Sequence, residues 1–150
     1  MADSRPTPRR QALDLLARRE HSRLELERKL AARGFEPDLI SEALDQLGRE
    51  NLQSDARFAA SFVQARAARG QGPVRIRMEL AERGVGGADT YLRAAGLDWA
   101  ALARETRIKR FGKAVPGDFK EKARQMRFLQ YRGFSHDQIT AALEFGDDSD

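Results

Sequence analysis

The residues best suited to catalysis or metal binding are few, and none stands in a productive pattern. His21 and His136 each begin a predicted helix, and neither has a second ligand-type residue at the spacing of a zinc site. Gly70-Gln-Gly72 is glycine-rich but lacks the lysine and Ser/Thr that a phosphate-binding loop requires, so it reads as a corner between helices. Glu25 and Glu27 are two apart on a predicted helix, where side chains diverge rather than share a proton. Asp147 and Asp148 belong to a polar tail, and the serines fall at helix-cap positions where their hydroxyls already have a use. No catalytic, cofactor-binding or metal-ligating residue is expected, and the protein is not expected to be an enzyme.

The chemistry that remains is electrostatic. The net charge is +4, and it is unevenly spread. Residues 9–51 carry nine basic and nine acidic side chains, residues 57–83 six against two, and residues 104–132 ten against three. An asymmetry of this kind suits an anionic partner, either nucleic acid or an acidic protein surface. Arginine-rich solvated helix faces would give the same composition with no partner at all. The candidate binding residues are Arg66, Arg75 and Arg77 near the Gly70–Gly72 corner, and Lys109, Arg110, Lys113, Lys120, Lys122, Arg124 and Arg127 around a second glycine break at Gly112–Gly117. Trp99, Phe58 and Phe62 lie on apolar helix stripes and are expected in the core rather than as stacking platforms.

The elements that must position these residues are helices. From Asp55 to Val85 the chain reads as a basic helical hairpin: Phe58, Ala59, Phe62 and Val63 form one stripe behind a Ser54 cap, and Pro73 opens a second helix with Ile76 and Leu80 inward. The closing words of the hairpin recur. Leu80-Ala-Glu-Arg83-Gly84-Val85 matches Leu30-Ala-Ala-Arg33-Gly34-Phe35 and Leu129-Gln-Tyr-Arg132-Gly133-Phe134, at offsets of 50 and 49 residues. Three copies at one period indicate tandem repeats, with the glycine taking the left-handed turn that ends each helix.

Around these anchors the chain divides into a disordered leader (1–8), three three-helix repeats (9–53, 54–97 and 98–145) and an acidic tail (146–150). The first helix is expected at about Arg9–Glu20, burying Leu13, Leu16 and Ala12. Ser22 and Glu25 form a capping box for the next, and Pro37 opens a third carrying Leu39, Ile40, Ala43, Leu44 and Leu47. A short helix near Asp89–Ala95 has Tyr91 and Leu92 as its only sizeable anchors. The last repeat runs from Trp99 through Leu102, Ala103, Ile108 and Phe111, then Ala123, Met126 and Leu129. A second capping box, Ser135 to Gln138, launches Ile139, Ala142, Leu143 and Phe145. No stretch alternates like a strand, so the fold class is all-α, a tandem array of three three-helix repeats. The chain has no cysteine, no apolar run of membrane length and no signal-peptide segment at its start, and a cytoplasmic location is expected.

Two stretches resemble the RecX regulatory proteins, which modulate the RecA recombinase. One is D-x-x-F-A-x-x-F-V-x-x-R with G-x-x-R-I-x-x-x-L-x-x-R-G-V (Asp55–Arg66 and Gly72–Val85), and the other is R-F-L-x-x-R-G-F-S-x-D-x-I (Arg127–Ile139). The resemblance extends over about Ala12–Phe145. It implies an elongated, curved array of the three repeats, a monomer that binds the RecA–DNA filament and touches single- or double-stranded DNA through its basic face. It further implies inhibition of filament growth, ATP hydrolysis, strand exchange and the co-protease step of the SOS response, with no cofactor. The alternative that the residues leave open is a RecA-independent helical DNA-binding protein of the helix-turn-helix repressor type.

Overall fold

The computed structural model describes residues 5–144, and every regular element among them is a helix. The first repeat is α1 (Pro8–Leu16), α2 (Arg23–Ala32) and α3 (Pro37–Arg49). The second is α4 (Asp55–Ala68), α5 (Pro73–Glu82) and α6 (Ala88–Ala94), and the third is α7 (Trp99–Phe111), α8 (Phe119–Arg132) and α9 (His136–Glu144). The all-α plan of three by three is the one the repeated turns imply.

Those turns share one geometry because they share one sequence. Gly34, Gly84 and Gly133 have φ of 91, 78 and 99°, in the left-handed region. The N–H after each glycine donates to the carbonyl of the motif leucine: Phe35 to Leu30, Val85 to Leu80 and Phe134 to Leu129, at 3.0–3.3 Å. The glycine N–H bonds the carbonyl one residue on from that leucine, completing a Schellman cap each time. The helix starts are equally local. The Ser22–Glu25 box closes in both directions, the Ser54 hydroxyl accepts from the Arg57 N–H at 3.1 Å, and Ser135 and Gln138 bond each other's backbone N–H. Asp98 and Asp118 cap α7 and α8 through their carboxylates.

Several expectations change. The leader expected over residues 1–8 ends earlier, because the Thr7 side chain accepts from the Arg10 N–H and Pro8 takes the first helical position. α1 stops at Leu16 rather than near Glu20, and it buries Leu15 with Ala12 while Leu13 and Leu16 are only partly covered. Leu39 is 52% exposed: it lies about 100° round α3 from Ile40, at the rim of the stripe. Phe58 and Phe62 are buried as expected, whereas Trp99 and Tyr91 are half-buried. Phe145, the acidic tail and the first residues of the leader lie outside the described residues.

The contacts group into two compact units whose limits cross the repeats. One takes the chain up to Ser61 together with Leu80–Gly86, and the other takes Phe62–Glu79 together with the chain from Gly87 onward. In the first, Ala12, Leu15, Leu26, Leu30, Ile40, Leu44 and Leu47 make a continuous core under α1–α3. In the second, Ala103, Leu129, Phe134, Ile139, Ala142 and Leu143 join α7, α8 and α9. Each fully covered leucine or isoleucine contributes roughly 1.5–3 kcal/mol.

Within the second unit the Gly70–Gly72 corner is pinned to the α8–α9 turn by backbone. The Gly72 N–H donates to the Arg132 carbonyl at 2.8 Å and the Val74 N–H to the Gly133 carbonyl at 2.9 Å. A Cβ on Gly72 would fall 2.4 Å from the Gly133 carbonyl, so only glycine permits the approach.

Candidate functional site

His21 has a structural role at the start of α2. His21 is buried at 2% exposure just before the Ser22 cap, with Nδ1 3.0 Å from the Arg19 carbonyl and Nε2 3.0 Å from the Lys29 ammonium. An ammonium can only donate, so Nε2 accepts and the ring is neutral with its proton on Nδ1. Burial lowers the His21 pKa from its ordinary value, with smaller effects of the same sign from Arg19 and Lys29. No group of three or more His, Asp or Glu among the described residues is placed to hold a metal.

The three candidate arginines of the second repeat prove to have carboxylate partners. Glu79, on α5 and 15% exposed in its side chain, receives Arg66 from α4 at 3.3 Å and Arg75 from one turn earlier at 3.0 Å. Arg66 also lies over the Phe62 ring at 4.6 Å, and Arg75 over Tyr131 at 5.6 Å. Arg77 pairs with Asp89 of α6 at 2.7 Å. These guanidiniums tie α4, α5 and α6 together, and most of their charge is met at home.

The third repeat is different. Among the described residues no carboxylate lies within ion-pair reach of Lys109, Arg110, Lys113, Lys120, Lys122 or Arg127, all of them exposed. Arg124 alone of the candidates there has an acidic partner, Glu121 at 3.1 Å. The guanidiniums rest instead on aromatic faces. Arg110 sits 5.7 Å from the Phe128 centroid and Arg124 5.2 Å from Phe111, while the two rings meet edge to face at 5.2 Å. Such stacking holds a guanidinium in place while leaving donor edges available.

Arg107 departs from this surface. It is fully buried, donating Nε to the Ala142 carbonyl at 3.1 Å and Nη1 to the Ala114 carbonyl and the Gln125 side chain at 3.2 and 3.3 Å. Burial, and secondarily Arg104, lower its pKa from the usual guanidinium value. It stitches α7 to α8, α9 and the loop between α7 and α8, and nothing in its sequence neighbourhood separates it from the exposed lysines around it.

Arg69 and Arg132, absent from the sequence candidates, stand in the same region. The Arg132 Nη2 donates to the Arg69 carbonyl at 2.8 Å, and its guanidinium shares the Phe128 ring with Arg110 at 5.7 Å. The available signal was the dipeptide Arg-Gly, which occurs at Arg69-Gly70 as well as in the three repeated turns.

Three three-helix repeats, one of them rich in cations without a carboxylate partner among the described residues, define an all-α repeat protein. Comparison with known proteins gives it a family. Models of the first, second and third three-helix domains of RecX match residues 9–47, 54–89 and 98–143. The chain is 51% identical over 141 residues to the regulatory protein RecX of Halorhodospira halophila, covering 93% of this chain and 88% of that protein. It is 50% identical over 144 residues to the one from Pseudomonas fluorescens, covering 95% and 93%. The crystal structure of RecX from Lactobacillus salivarius superposes with a TM-score of 0.75 at 24% identity over 93% of this chain and 94% of that one. The chain belongs to the RecX family. Its relatives are named as regulatory proteins, and no helix among the described residues is long and apolar enough to cross a membrane.

Proposed function

We propose that this protein is a non-enzymatic regulator that binds the RecA–DNA filament and inhibits the recombinase, ATPase and co-protease activities of RecA, and so modulates DNA repair, recombination and the SOS response. The single observation that carries the reading is family membership along all three repeats. The charge distribution fits it. A filament of protein on DNA offers a continuous anionic surface, and a series of small repeats can follow a long groove.

Within this proposal the interface is weighted toward the third repeat. Lys109, Arg110, Lys113, Lys120, Lys122 and Arg127 have charge to offer, whereas Arg66, Arg75 and Arg77 must first leave Glu79 or Asp89. Arg124 is intermediate, with an exposed i, i+3 partner of small energetic worth. The protein acts as a monomer in the cytoplasm, where its target resides.

The test is the DNA-dependent ATP hydrolysis of RecA titrated with the full chain at two salt concentrations. Inhibition below one copy per RecA, weakened by salt and not relieved by excess DNA, is the expected result. Inhibition that added DNA abolishes would point instead to a RecA-independent DNA binder, and no inhibition would overturn the assignment.

A further inference from the structure

The chain holds five lysines, and four of them lie in the third repeat. Before Trp99 every Lys-or-Arg position except Lys29 is an arginine. A guanidinium keeps its proton in proteins, whereas an amine can lose one and become a nucleophile. The surroundings of Lys29, on α2, favour that form. Its Nζ is 3.0 Å from Nε2 of the covered His21, and Nε2 accepts because Nδ1 already donates to the Arg19 carbonyl. Arg18 and Arg19 before α2, and Arg33 at its C-cap, bring three further positive charges to bear on the amine. Glu25, one turn earlier, opposes them, but its carboxylate is engaged by Arg19 at 3.1 Å, the Ser22 N–H at 3.0 Å and Arg83 at 3.8 Å. No carboxylate among the described residues is within ion-pair reach of Nζ. Burial, and then Arg19, Arg33 and Arg18, lower the Lys29 pKa from its ordinary value of 10.5. Lys29 itself is only half-buried.

We propose that Lys29 is an acylation site, modified by an anionic acyl phosphate with His21 as the proton acceptor. The class of donor follows from the local charge. Arg18 and Arg33 are exposed and have no carboxylate within ion-pair reach among the described residues, and Arg33 is bonded only to the neutral Gln11 side chain. Guanidiniums so placed draw a phosphate-bearing reagent toward the amine. The ammonium first loses one proton to water. Nζ then attacks the acyl carbon, an N–C bond forms, and the bond from that carbon to the bridging phosphate oxygen breaks, with phosphate leaving on that electron pair. The second proton passes from Nζ to His21 Nε2, 3.0 Å away, and on to the departing phosphate. The product is a neutral amide whose remaining N–H can still donate to Nε2, and the first repeat has lost one positive charge. The opposing interpretation is that Lys29 only fixes the His21 tautomer, in which case its amine reacts like that of any other lysine.

The test treats the full chain with acetyl phosphate and, separately, with acetic anhydride, an uncharged donor of the same acetyl group. Mass spectrometry follows the acetylation rate at each of the five lysines. With acetyl phosphate, Lys29 is expected to react about tenfold faster than the mean of Lys109, Lys113, Lys120 and Lys122. His21→Gln should bring Lys29 to within about threefold of those four. Arg18→Gln with Arg33→Gln should slow acetyl phosphate about threefold more than it slows the anhydride. The pH profile of anhydride labelling at wild-type Lys29 should break below 10.5. Circular dichroism checks that each variant folds, and the wild-type rates and pH profile decide the matter even if His21→Gln does not. Lys29 reacting no faster than the other four, or a profile breaking at or above 10.5, would overturn the site. A folded His21→Gln chain with its Lys29 preference intact removes His21 as proton acceptor, and equal slowing of both reagents in the double arginine variant removes the acyl phosphate as the donor. The readout needs no RecA and stands apart from the filament reading.

Discussion

The hairpin of α4 and α5 and the hairpin of α7 and α8 look alike in sequence, each basic and broken by glycines, yet their charges do different work. In the first, Glu79 gathers Arg66 and Arg75, and Asp89 takes Arg77. In the second, one arginine, Arg107, is taken wholly into the interior, and among the described residues the exposed candidate cations have no carboxylate within ion-pair reach apart from the Arg124–Glu121 pair. The lesson is that net charge along a sequence overstates the charge a partner can use. Guanidiniums spaced to reach a carboxylate on the same or an adjoining helix are absorbed by the fold, and only the remainder is left for binding.

The largest test of this contrast is the buried exception. Arg107→Leu keeps the bulk of the residue but strands the buried Ala142 carbonyl and Gln125 side chain, and it should lower stability by about 3 kcal/mol in urea denaturation. A loss below about 1 kcal/mol would mean Arg107 belongs with the surface cations after all. Next in size, Glu79→Gln should cost roughly 2 kcal/mol, because it leaves Arg66 and Arg75 partly buried without their shared carboxylate. By releasing those two charges it should also strengthen binding to a polyanion, a gain that separates it from a purely structural defect.

A smaller effect comes from the first repeat, where Lys29 donates to a neutral imidazole. The folded-state pKa of His21 is lowered from the ordinary value of 6.5, so below that pH the unfolded chain takes up a proton that the folded ring refuses. This contribution to stability is intact above pH 6.5 and is lost as pH falls beneath it. Urea melts at pH 5.5 and 7.5 should show the drop, and His21→Gln should remove this part of the pH dependence. The smallest expected change is in Lys109→Gln with Lys113→Gln, within about 0.5 kcal/mol of wild type in stability, since both are exposed and neither has a carboxylate within ion-pair reach among the described residues. A clear destabilisation there would erase the distinction between the two hairpins.

Much of the fold was legible because its determinants are local. A glycine that must turn left-handed, a serine three residues before a glutamate or glutamine, and a proline at a first helical turn act over a handful of bonds, so helix ends could be placed from sequence. α1 was misplaced where that locality failed. Thr7 was read as part of a leader, and the burial of Leu15 over Leu13 depends on where α2 and α3 pack. The candidate site was legible only as a surplus of charge. Whether Arg66 meets Glu79, whether Arg107 is inside, and whether Arg69 and Arg132 share a cleft with Lys109 are settled by helix packing between residues up to 63 positions apart. The sequence by itself determined the nine described helices, their caps, the threefold repeat and the family, since each is written in short-range pattern. Only the tertiary structure decided which cations are neutralised and which stay exposed, because a carboxylate screens a guanidinium through distance in space and not through distance along the chain.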